Sequence, residues 1–176
     1  KKLAIRQEDI KLNGWSVESR IYAEDPTKDF LPSIGRVTRY IEPKKIEKDY
    51  EVIRNDTGIS PGSEVSLYYD PMISKLAVHS KDRISAINLM INSLQNYYLS
   101  GLENNIDFLI AILEDKKFQK GEISTNFIKE KFKKGYSSNL TMTDDKRQKF
   151  GIIAMLMYAK QSFNLSNVIS KSYSVK

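Results

Sequence analysis

Cysteine is absent from this chain of 176 residues, and histidine occurs once, at His79. The lack of cysteine excludes disulfide bonds and thiolate metal ligands, and a single histidine cannot provide the paired spacing of a histidine metal site. The sequence also has no glycine-rich phosphate loop and no nucleophile elbow. We therefore predict no metal site, and we expect His79, at the end of an apolar strand, to have a structural role.

Long hydrophobic runs are absent as well. The most apolar stretch, FGIIAMLMYA at positions 150–159, is shorter than the ~20 residues with which a helix crosses a bilayer. The first residues, KKLAI, lack the apolar core of a signal peptide. The sequence therefore predicts no membrane-spanning helix and no membrane partner.

The chain has no basic stripe, although its net charge is +6. Its lysines are dispersed and acidic residues lie between most of them. The aromatic residues do not alternate with basic ones, as they do on surfaces that stack nucleic-acid bases. Dispersed charges of this kind are typical of a solvated surface, so we predict no nucleic-acid partner.

Alternating apolar and polar residues predict β-strands in the first half of the chain. The alternation is clearest at 14–22, where Ser19 and Ile21 point to one side and Glu18 and Arg20 to the other. Further strands are predicted at 36–41, 51–54, 64–69 and 72–79, with a turn at 55–58. No βαβ rhythm separates these strands, which favours antiparallel pairing.

Apolar residues at helical spacing predict helices in the second half. One stripe consists of Ile84, Ile87, Ile91, Leu94 and Tyr98, and it is expected to end at Ser100 and Gly101. A second helix is predicted at 106–113, and Ser124 or Thr125 is predicted to cap a third one that runs to Phe132. Strands followed by helices predict the α+β class, an antiparallel β-sheet with flanking helices.

The composition changes after residue 132. Residues 133–139 are typical of a linker, and Thr143 followed by Asp144 predicts the start of another helix. The apolar run at 150–159 covers all sides of that helix, which therefore needs protein around it. We expect the helix, at 144–163, to belong to a truncated second domain and to dock on the main domain or against another copy.

Two local features raise the question of function. Arg20 shares a strand face with Glu18, and a structural ion pair would explain both residues. The segment SLYYDP at 66–71 places two tyrosines and Asp70 between predicted strands. This segment is either an aromatic turn or a device that holds an acidic side chain at the mouth of a site.

Five segments, in this order along the chain, carry a resemblance to a known family. They are ESRIYAEDP (18–26), FLPSIGRVTRY (30–40), YYDPMISKL (68–76), GLENNIDFL (101–109) and FQKGEISTNFI (118–128). Together they resemble the C-terminal domain of biotin carboxylases. The resemblance implies that residues 1–13 end an ATP-grasp region and that residues 14–134 form the biotin carboxylase C-terminal domain. Residues 135–176 would then begin a helix-in-barrel domain that contacts a carboxyltransferase β subunit.

The resemblance also implies site residues. Arg20 matches the arginine that faces the ureido group of biotin, where an always-charged guanidinium stabilises the negative charge that develops on the ureido oxygen. Asp70 matches the aspartate near this arginine and would hold its guanidinium. Tyr68 and Tyr69 would shield the site from water, with Tyr69 in the biotin site. Thr125 lies where the family approaches the adenine of ATP.

The activity implied by the resemblance is that of an ATP-dependent biotin carboxylase, a ligase that uses ATP and bicarbonate to carboxylate biotin. The biotin would be attached to a biotin carboxyl carrier domain outside this sequence. ATP and Mg²⁺ or Mn²⁺ would bind mainly to an upstream domain, so this chain would form one wall of the biotin site and be inactive alone. Such a protein would lie in the cytoplasm of a bacterium or, for a eukaryotic homologue, in the mitochondrial matrix.

Two questions stay open at this point. The segment after residue 132 resembles propionyl-CoA carboxylase α subunits, whereas a methylcrotonyl- or acetyl-CoA enzyme is the alternative. A competing hypothesis from another class is a non-catalytic basic α+β module that binds an acidic protein through its exposed tyrosines.

Overall fold

The computed structural model describes residues 3–137 and 144–173, and within the second range it describes side chains at 147–161. These residues form ten strands and five α-helices. The strands are β1 (Trp15–Tyr22), β2 (Glu24–Asp25), β3 (Leu31–Pro32), β4 (Gly35–Arg36), β5 (Arg39–Ile41), β6 (Ile46–Lys48), β7 (Glu51–Thr57), β8 (Glu64–Val65), β9 (Met72–Ser80) and β10 (Tyr98–Ser100). The helices are α1 (Arg83–Gln95), α2 (Ile106–Leu113), α3 (Lys116–Lys120), α4 (Phe127–Lys131) and α5 (Asp144–Tyr173).

The main sheet has four antiparallel strands in the order β1-β9-β7-β6. Its central strand β9 pairs with β1 on one side and β7 on the other, so Lys75 lies between Arg20 and Asp56. Three two-stranded ladders, β2-β3, β4-β8 and β5-β10, are also antiparallel. The predicted α+β fold, an antiparallel sheet with flanking helices, is confirmed.

Helix α1 covers the inner face of the main sheet. Asp82 caps its first turn, because the carboxylate accepts a hydrogen bond from Ser85 N at 2.8 Å. The most deeply buried side chains of the core are Ile21, Val37, Leu76, Val78, Ile87, Met90 and Leu94. Burying a side chain of this size contributes about 1.5–3 kcal/mol, so this packing decides which face of the sheet is left open.

Strand β1 shows the alternation that its sequence predicts. Ser19 and Ile21 are buried in the core, whereas Glu18 and Arg20 are exposed on the opposite face. Strand β7 is longer than predicted, because residues 55–57 pair with β9 and do not form a turn. Backbone hydrogen bonds to β9 outweigh the turn preference of the Asn-Asp-Thr sequence there.

Two other predicted strands differ from the structure. The strand predicted at 64–69 is reduced to β8, since the chain turns where Tyr68 N donates to Ser66 Oγ at 3.4 Å. The strand predicted at 36–41 is divided between β4 and β5. The division follows from different partners, because β4 pairs with β8 and β5 pairs with β10.

The helical half differs from the prediction at its turns. Helix α1 ends at Gln95, and Tyr98 lies in β10, where it pairs with Ile41. The turn that follows requires glycine at position 101, because φ is +103° and a Cβ there would lie 2.1 Å from Arg36 O. Helix α3 was not predicted. It begins where Asp115 Oδ1 accepts a hydrogen bond from Lys117 N at 2.7 Å.

Helix α4 begins later than predicted, at Phe127. Ser124 Oγ accepts a hydrogen bond from Asn126 N at 3.2 Å, so this serine stabilises the turn before the helix. Neither Ser124 nor Thr125 is the N-cap of α4, a position that Asn126 occupies.

Helix α5 is longer than the predicted range 144–163. The chain divides into two units, Lys1–Ser138 and Asn139–Lys176, and α5 lies in the second. Its large apolar side chains at 150–158 are exposed. The predicted cap Thr143 lies outside the described residues, and the docking of this helix stays a prediction. Within the described ranges, no helix is long and apolar enough to cross a membrane.

Candidate functional site

The open side of the main sheet carries a group of charged residues that we call the charged face. It consists of Glu18, Arg20, Arg54, Asp56 and Lys75, together with Ala77. These residues share one face because side chains alternate along a strand and registered residues lie side by side. Two rows cross the three strands, Glu18–Ala77–Arg54 and Arg20–Lys75–Asp56.

Arg20 projects from β1 on the charged face and forms an ion pair with Glu18. Its Nε donates to Glu18 Oε1 at 3.1 Å, and the arginine side chain is 59% exposed. The hydrogen bonds that Glu18 and then Tyr22 make with the guanidinium raise the pKa of Arg20 above its ordinary value. Arg20 is therefore a permanent positive charge that solvent or a ligand can reach.

The backbone around Arg20 is held by Asn105, which sequence reasoning missed. Asn105 is buried, its Oδ1 accepts from Tyr22 N at 2.9 Å, and its Nδ2 donates to Arg20 O at 3.1 Å. This side chain thus supplies the hydrogen bonds that another strand would give to the edge of β1. The only signal was a polar pair, Asn104-Asn105, directly before the apolar helix α2.

Asp70 lies in the turn that precedes β9, and its carboxylate serves that turn. Its Oδ1 accepts from Met72 N at 2.8 Å, the local bond typical of aspartate in turns. Burial, followed by the negative charge of Asp70, raises the pKa of Glu24. Among the described residues, the ion pair of Arg20 is with Glu18 and not with Asp70. The role of Asp70 in holding Arg20 stays a prediction.

Tyr68 and Tyr69 lie in the segment between β8 and β9. They are 91% and 83% exposed, because the turn between β8 and β9 gives them no strand partner. The expected shielding of the site from water and the assignment of Tyr69 to the biotin site both stay predictions.

Thr125 is exposed in the turn before α4, beside a hollow of about 460 Å³. The hollow is lined by Asp115, Lys117, Gly121, Glu122, Ile123, Ser124, Phe127, Glu130 and Lys131. An ion pair joins Lys131 to Asp115, and its hydrogen bond lowers the pKa of Asp115. Thr125 follows Ser124 in the chain and is not one of the lining residues, and its approach to adenine stays a prediction.

His79 has two backbone partners. Its Nε2 lies 2.7 Å from Asn13 O, and its Nδ1 lies 3.1 Å from Tyr50 O. The ring thus ties the segment before β1 and the turn between β6 and β7 to strand β9. Within the described ranges, no group of three or more metal-ligating side chains occurs.

A network of hydroxyl groups lies beneath the charged face. Tyr97 OH lies 2.8 Å from Ser74 Oγ and 2.7 Å from Tyr40 OH, and burial raises the pKa of Tyr97. Ser74 precedes Lys75 in β9, so the network supports the strand that carries this lysine. Sequence reasoning missed it, because its members come from three distant elements.

Comparison with known proteins identifies the class of this domain. Residues 18–130, a range that contains Arg20 and Asp70, match the sequence model of the biotin carboxylase C-terminal domain. The chain belongs to this family.

Several similar proteins are propionyl-CoA carboxylase α chains. The mitochondrial propionyl-CoA carboxylase α chain of Homo sapiens is 43% identical over 157 residues, which cover 89% of this chain and 21% of that protein. The propionyl-CoA carboxylase α chain of Ruegeria pomeroyi is 40% identical over 169 residues, covering 87% of this chain and 25% of that protein. The chain thus spans about a fifth to a quarter of the length of these curated relatives.

Solved structures have the same fold. The biotin carboxylase domain of a thermophilic 2-oxoglutarate carboxylase, solved with bicarbonate, matches with a TM-score of 0.69 at 40% identity. The match covers 74% of this chain and 28% of that one.

Proposed function

We propose that this chain is part of the biotin carboxylase component of a biotin-dependent acyl-CoA carboxylase, of the propionyl-CoA carboxylase α type. The observation that carries the proposal is the family match across 18–130, together with an accessible, permanently charged Arg20 on the open sheet face. The alternative is an enzyme of the methylcrotonoyl-CoA carboxylase type, because the α subunit of such an enzyme from Dictyostelium discoideum is 42% identical over 126 residues. Its shorter match is the reason to favour the propionyl type.

The residues on the charged face suit a ureido cofactor. Biotin, when bound, supplies a ureido nitrogen that takes up a carboxyl group from bicarbonate with ATP as the energy source. Arg20 would face the ureido oxygen and stabilise the negative charge that develops there. Glu18 would orient the guanidinium through its 3.1 Å bond to Nε, which leaves the other guanidinium nitrogens to face a ligand.

The remaining assignments follow the family. Asp70 would contact Arg20 when the rest of the biotin site is present, and Tyr69 would cover the bound cofactor. Thr125 would lie near the adenine of ATP, which fits its position beside the 460 Å³ hollow. ATP and Mg²⁺ or Mn²⁺ would bind mainly outside this chain.

The domain organisation and partners are also proposals. Residues 1–13 would end an ATP-grasp region, residues 14–134 would form the domain that carries Arg20, and residues 135–176 would contact the carboxyltransferase β subunit. The exposed apolar side chains of α5 support such a contact, since surfaces of this kind mark interaction sites. A biotin carboxyl carrier domain would be the second partner, and the protein would act in a bacterial cytoplasm or a mitochondrial matrix.

The test of this function is the variant Arg20→Ala in the full-length enzyme. We expect biotin-dependent carboxylation to fall roughly 10²–10³-fold, the usual effect of removing one donor from a developing oxyanion. ATP binding should be unchanged, because the nucleotide contacts lie elsewhere.

Arg54→Ala is the matched control. Arg54 lies on the same face, is paired with Asp56 two residues away, and is 70% exposed. If both variants keep the normal carboxylation rate, the assignment is wrong and the non-catalytic interaction module becomes the better hypothesis.

A further inference from the structure

Phe108 of α2 is the centre of an aromatic cluster that is distinct from the main core. Three rings contact it, with centroid distances of 4.9 Å for Phe30, 5.1 Å for Phe132 and 5.2 Å for Tyr136. Phe30 reaches the cluster with φ of +59°, a left-handed backbone conformation that bulky residues rarely adopt. Phe108 thus joins the turn before β3 to the segment that follows α4.

The chain turns after α4 in a way that brings Tyr136 to this cluster. Phe132 follows the last residue of the helix, and its carbonyl oxygen accepts a hydrogen bond from Gly135 N at 2.9 Å. Gly135 has φ of +80°, which glycine adopts without strain. Tyr136 then packs on Phe132 as well as on Phe108, with the centroids of Phe132 and Tyr136 5.8 Å apart. The turn therefore directs the tyrosine back onto the first unit.

The burial of Tyr136 contrasts with the exposure of its neighbours. Lys133 and Lys134 in the same segment are exposed, whereas the tyrosine is half-buried. Burial, and then the negative charge of Asp107, raises the pKa of Tyr136 above its ordinary value. Tyr68, which lies in the segment between β8 and β9, is 91% exposed. The ring contacts of Tyr136 therefore decide where this segment lies.

An ion pair holds the beginning of the same segment. Lys131, the last residue of α4, is paired with Asp115, the N-cap of α3. The end of α4 is thus tied by a charged contact to α3 and by ring contacts to α2. The division of the chain agrees with these ties, because the first unit continues to Ser138.

We propose that Tyr136 is an anchor that fixes the point at which the chain leaves the first unit, and that the overall reaction of the enzyme depends on this fixed point. Without the anchor, residues 132–136 would add up to ~17 Å to the connection with the second unit, because an extended chain spans about 3.3–3.6 Å per residue. A longer connection lowers the effective concentration at which linked units meet a common partner. The functional part rests on the proposed function, in which the second unit contacts the carboxyltransferase β subunit.

Limited proteolysis of the 176-residue chain tests the anchor by itself. Trypsin cleaves after lysine, and Lys133 and Lys134 lie inside the anchored segment. A protease needs a locally unfolded segment, so the cleavage rate reports how often the anchor opens. Tyr136→Ala should be cleaved at these lysines roughly tenfold faster than the unaltered chain, because two ring contacts are lost. The masses of the fragments identify the cleaved bonds.

Two further variants make the proteolysis specific. Tyr136→Phe keeps the ring and should be cleaved at the rate of the unaltered chain. Tyr50→Ala is the matched control, because Tyr50 is 54% exposed and lies in the turn between β6 and β7. Urea midpoints are expected to be equal, which checks that the variants fold alike. Unchanged cleavage of Tyr136→Ala, or the same acceleration in Tyr50→Ala, would overturn the anchor.

The full-length enzyme tests the functional part. ATP hydrolysis that depends on added free biotin measures the biotin carboxylase step alone, whereas carboxylation of propionyl-CoA measures the complete reaction. We expect Tyr136→Ala to lower the rate of the complete reaction roughly five- to tenfold and to leave the rate of the first step unchanged. Tyr136→Phe should retain both rates.

Two outcomes would overturn the functional part. Unchanged rates in both assays would mean that the enzyme does not depend on the fixed point, and equal losses in both would mean that Tyr136 only stabilises the first unit. If the unaltered enzyme showed no biotin-dependent ATP hydrolysis, the proposed function would fail, and the proteolysis would decide on the anchor alone.

Discussion

The two faces of the main sheet are built from the same strands but differ in burial and charge. On the inner face, Ile21, Ile53 and Leu76 are buried in one hydrophobic core. On the charged face, Arg20 and Lys75 stand among other ionised groups with solvent above them. Because the side-chain period of a strand is two, a slip of one residue would exchange the two sets. The packing of the inner face therefore decides which residues the outer face can present to a ligand.

The largest stability effect is expected on the inner face. Leu76 is fully buried, so Leu76→Ala should lower the free energy of unfolding by about 2–5 kcal/mol through lost burial and a residual cavity. Urea unfolding of the 176-residue chain measures this loss. Ala77→Ser, the next residue on the charged face, should leave the midpoint almost unchanged. Equal losses for both variants would show that the two faces contribute equally to the free energy of unfolding.

A smaller effect is expected from the buried hydroxyl network. Tyr97→Phe removes the hydroxyl that bonds Ser74 and Tyr40. Tyr40 keeps its bonds to Thr57 and Asn55, whereas the buried hydroxyl of Ser74 loses this partner, so we expect the free energy of unfolding to fall by about 1–3 kcal/mol. Tyr98→Phe is the control, because Tyr98 is the next residue in the chain and is 48% exposed, so the loss of its hydroxyl should have little effect.

The same tyrosine predicts a dependence on alkaline pH. Burial raises the pKa of Tyr97 in the folded chain, whereas in the unfolded chain a tyrosine ionises at about pH 10. The folded state then binds a proton that the unfolded state releases, so stability is full below about pH 10 and falls as the pH rises further. Urea midpoints measured up to alkaline pH should fall less steeply for Tyr97→Phe than for the unaltered chain. Identical slopes would contradict the burial effect.

The smallest effect is expected on the charged face. Arg54→Met breaks an exposed ion pair with Asp56, and solvent screening makes such pairs weak. We therefore expect no measurable shift of the urea midpoint at moderate salt. A loss as large as that of Tyr97→Phe would mean that the charged face contributes to stability and is not reserved for binding.

Local sequence signals predicted the strands and helices whose own residues decide their form. Strand β1 and helix α2 match because a strict alternation or a helical stripe is satisfied by burial on one face. Tyr98 and residues 55–57 were assigned to the wrong elements, because their hydrogen-bond partners lie in strands far along the chain. Boundaries set by such partners leave no local pattern.

The candidate site divides in the same way. Five short segments of the sequence were sufficient to predict the family, whereas the role that they imply for Arg20 stays a prediction. The alternation of β1 indicated an ion pair between Glu18 and Arg20, which the structure contains, but no sequence signal predicted that Asn105 holds the backbone of Arg20. The five segments also did not predict that the carboxylate of Asp70 is used by its own turn.

The sequence by itself determined the α+β class, the face of β1 on which Arg20 lies, and the absence of thiol chemistry. These properties depend on residue type and on the side-chain periods of strands and helices, two and 3.6 residues, which neighbouring residues in the sequence are sufficient to reveal. Only the tertiary structure decided that Lys75 lies opposite Arg20. It also decided that Asp56, the acid beside Lys75, accepts a hydrogen bond from Arg54. Strand register depends on packing between residues more than 50 positions apart, and that packing exists only once the chain has folded.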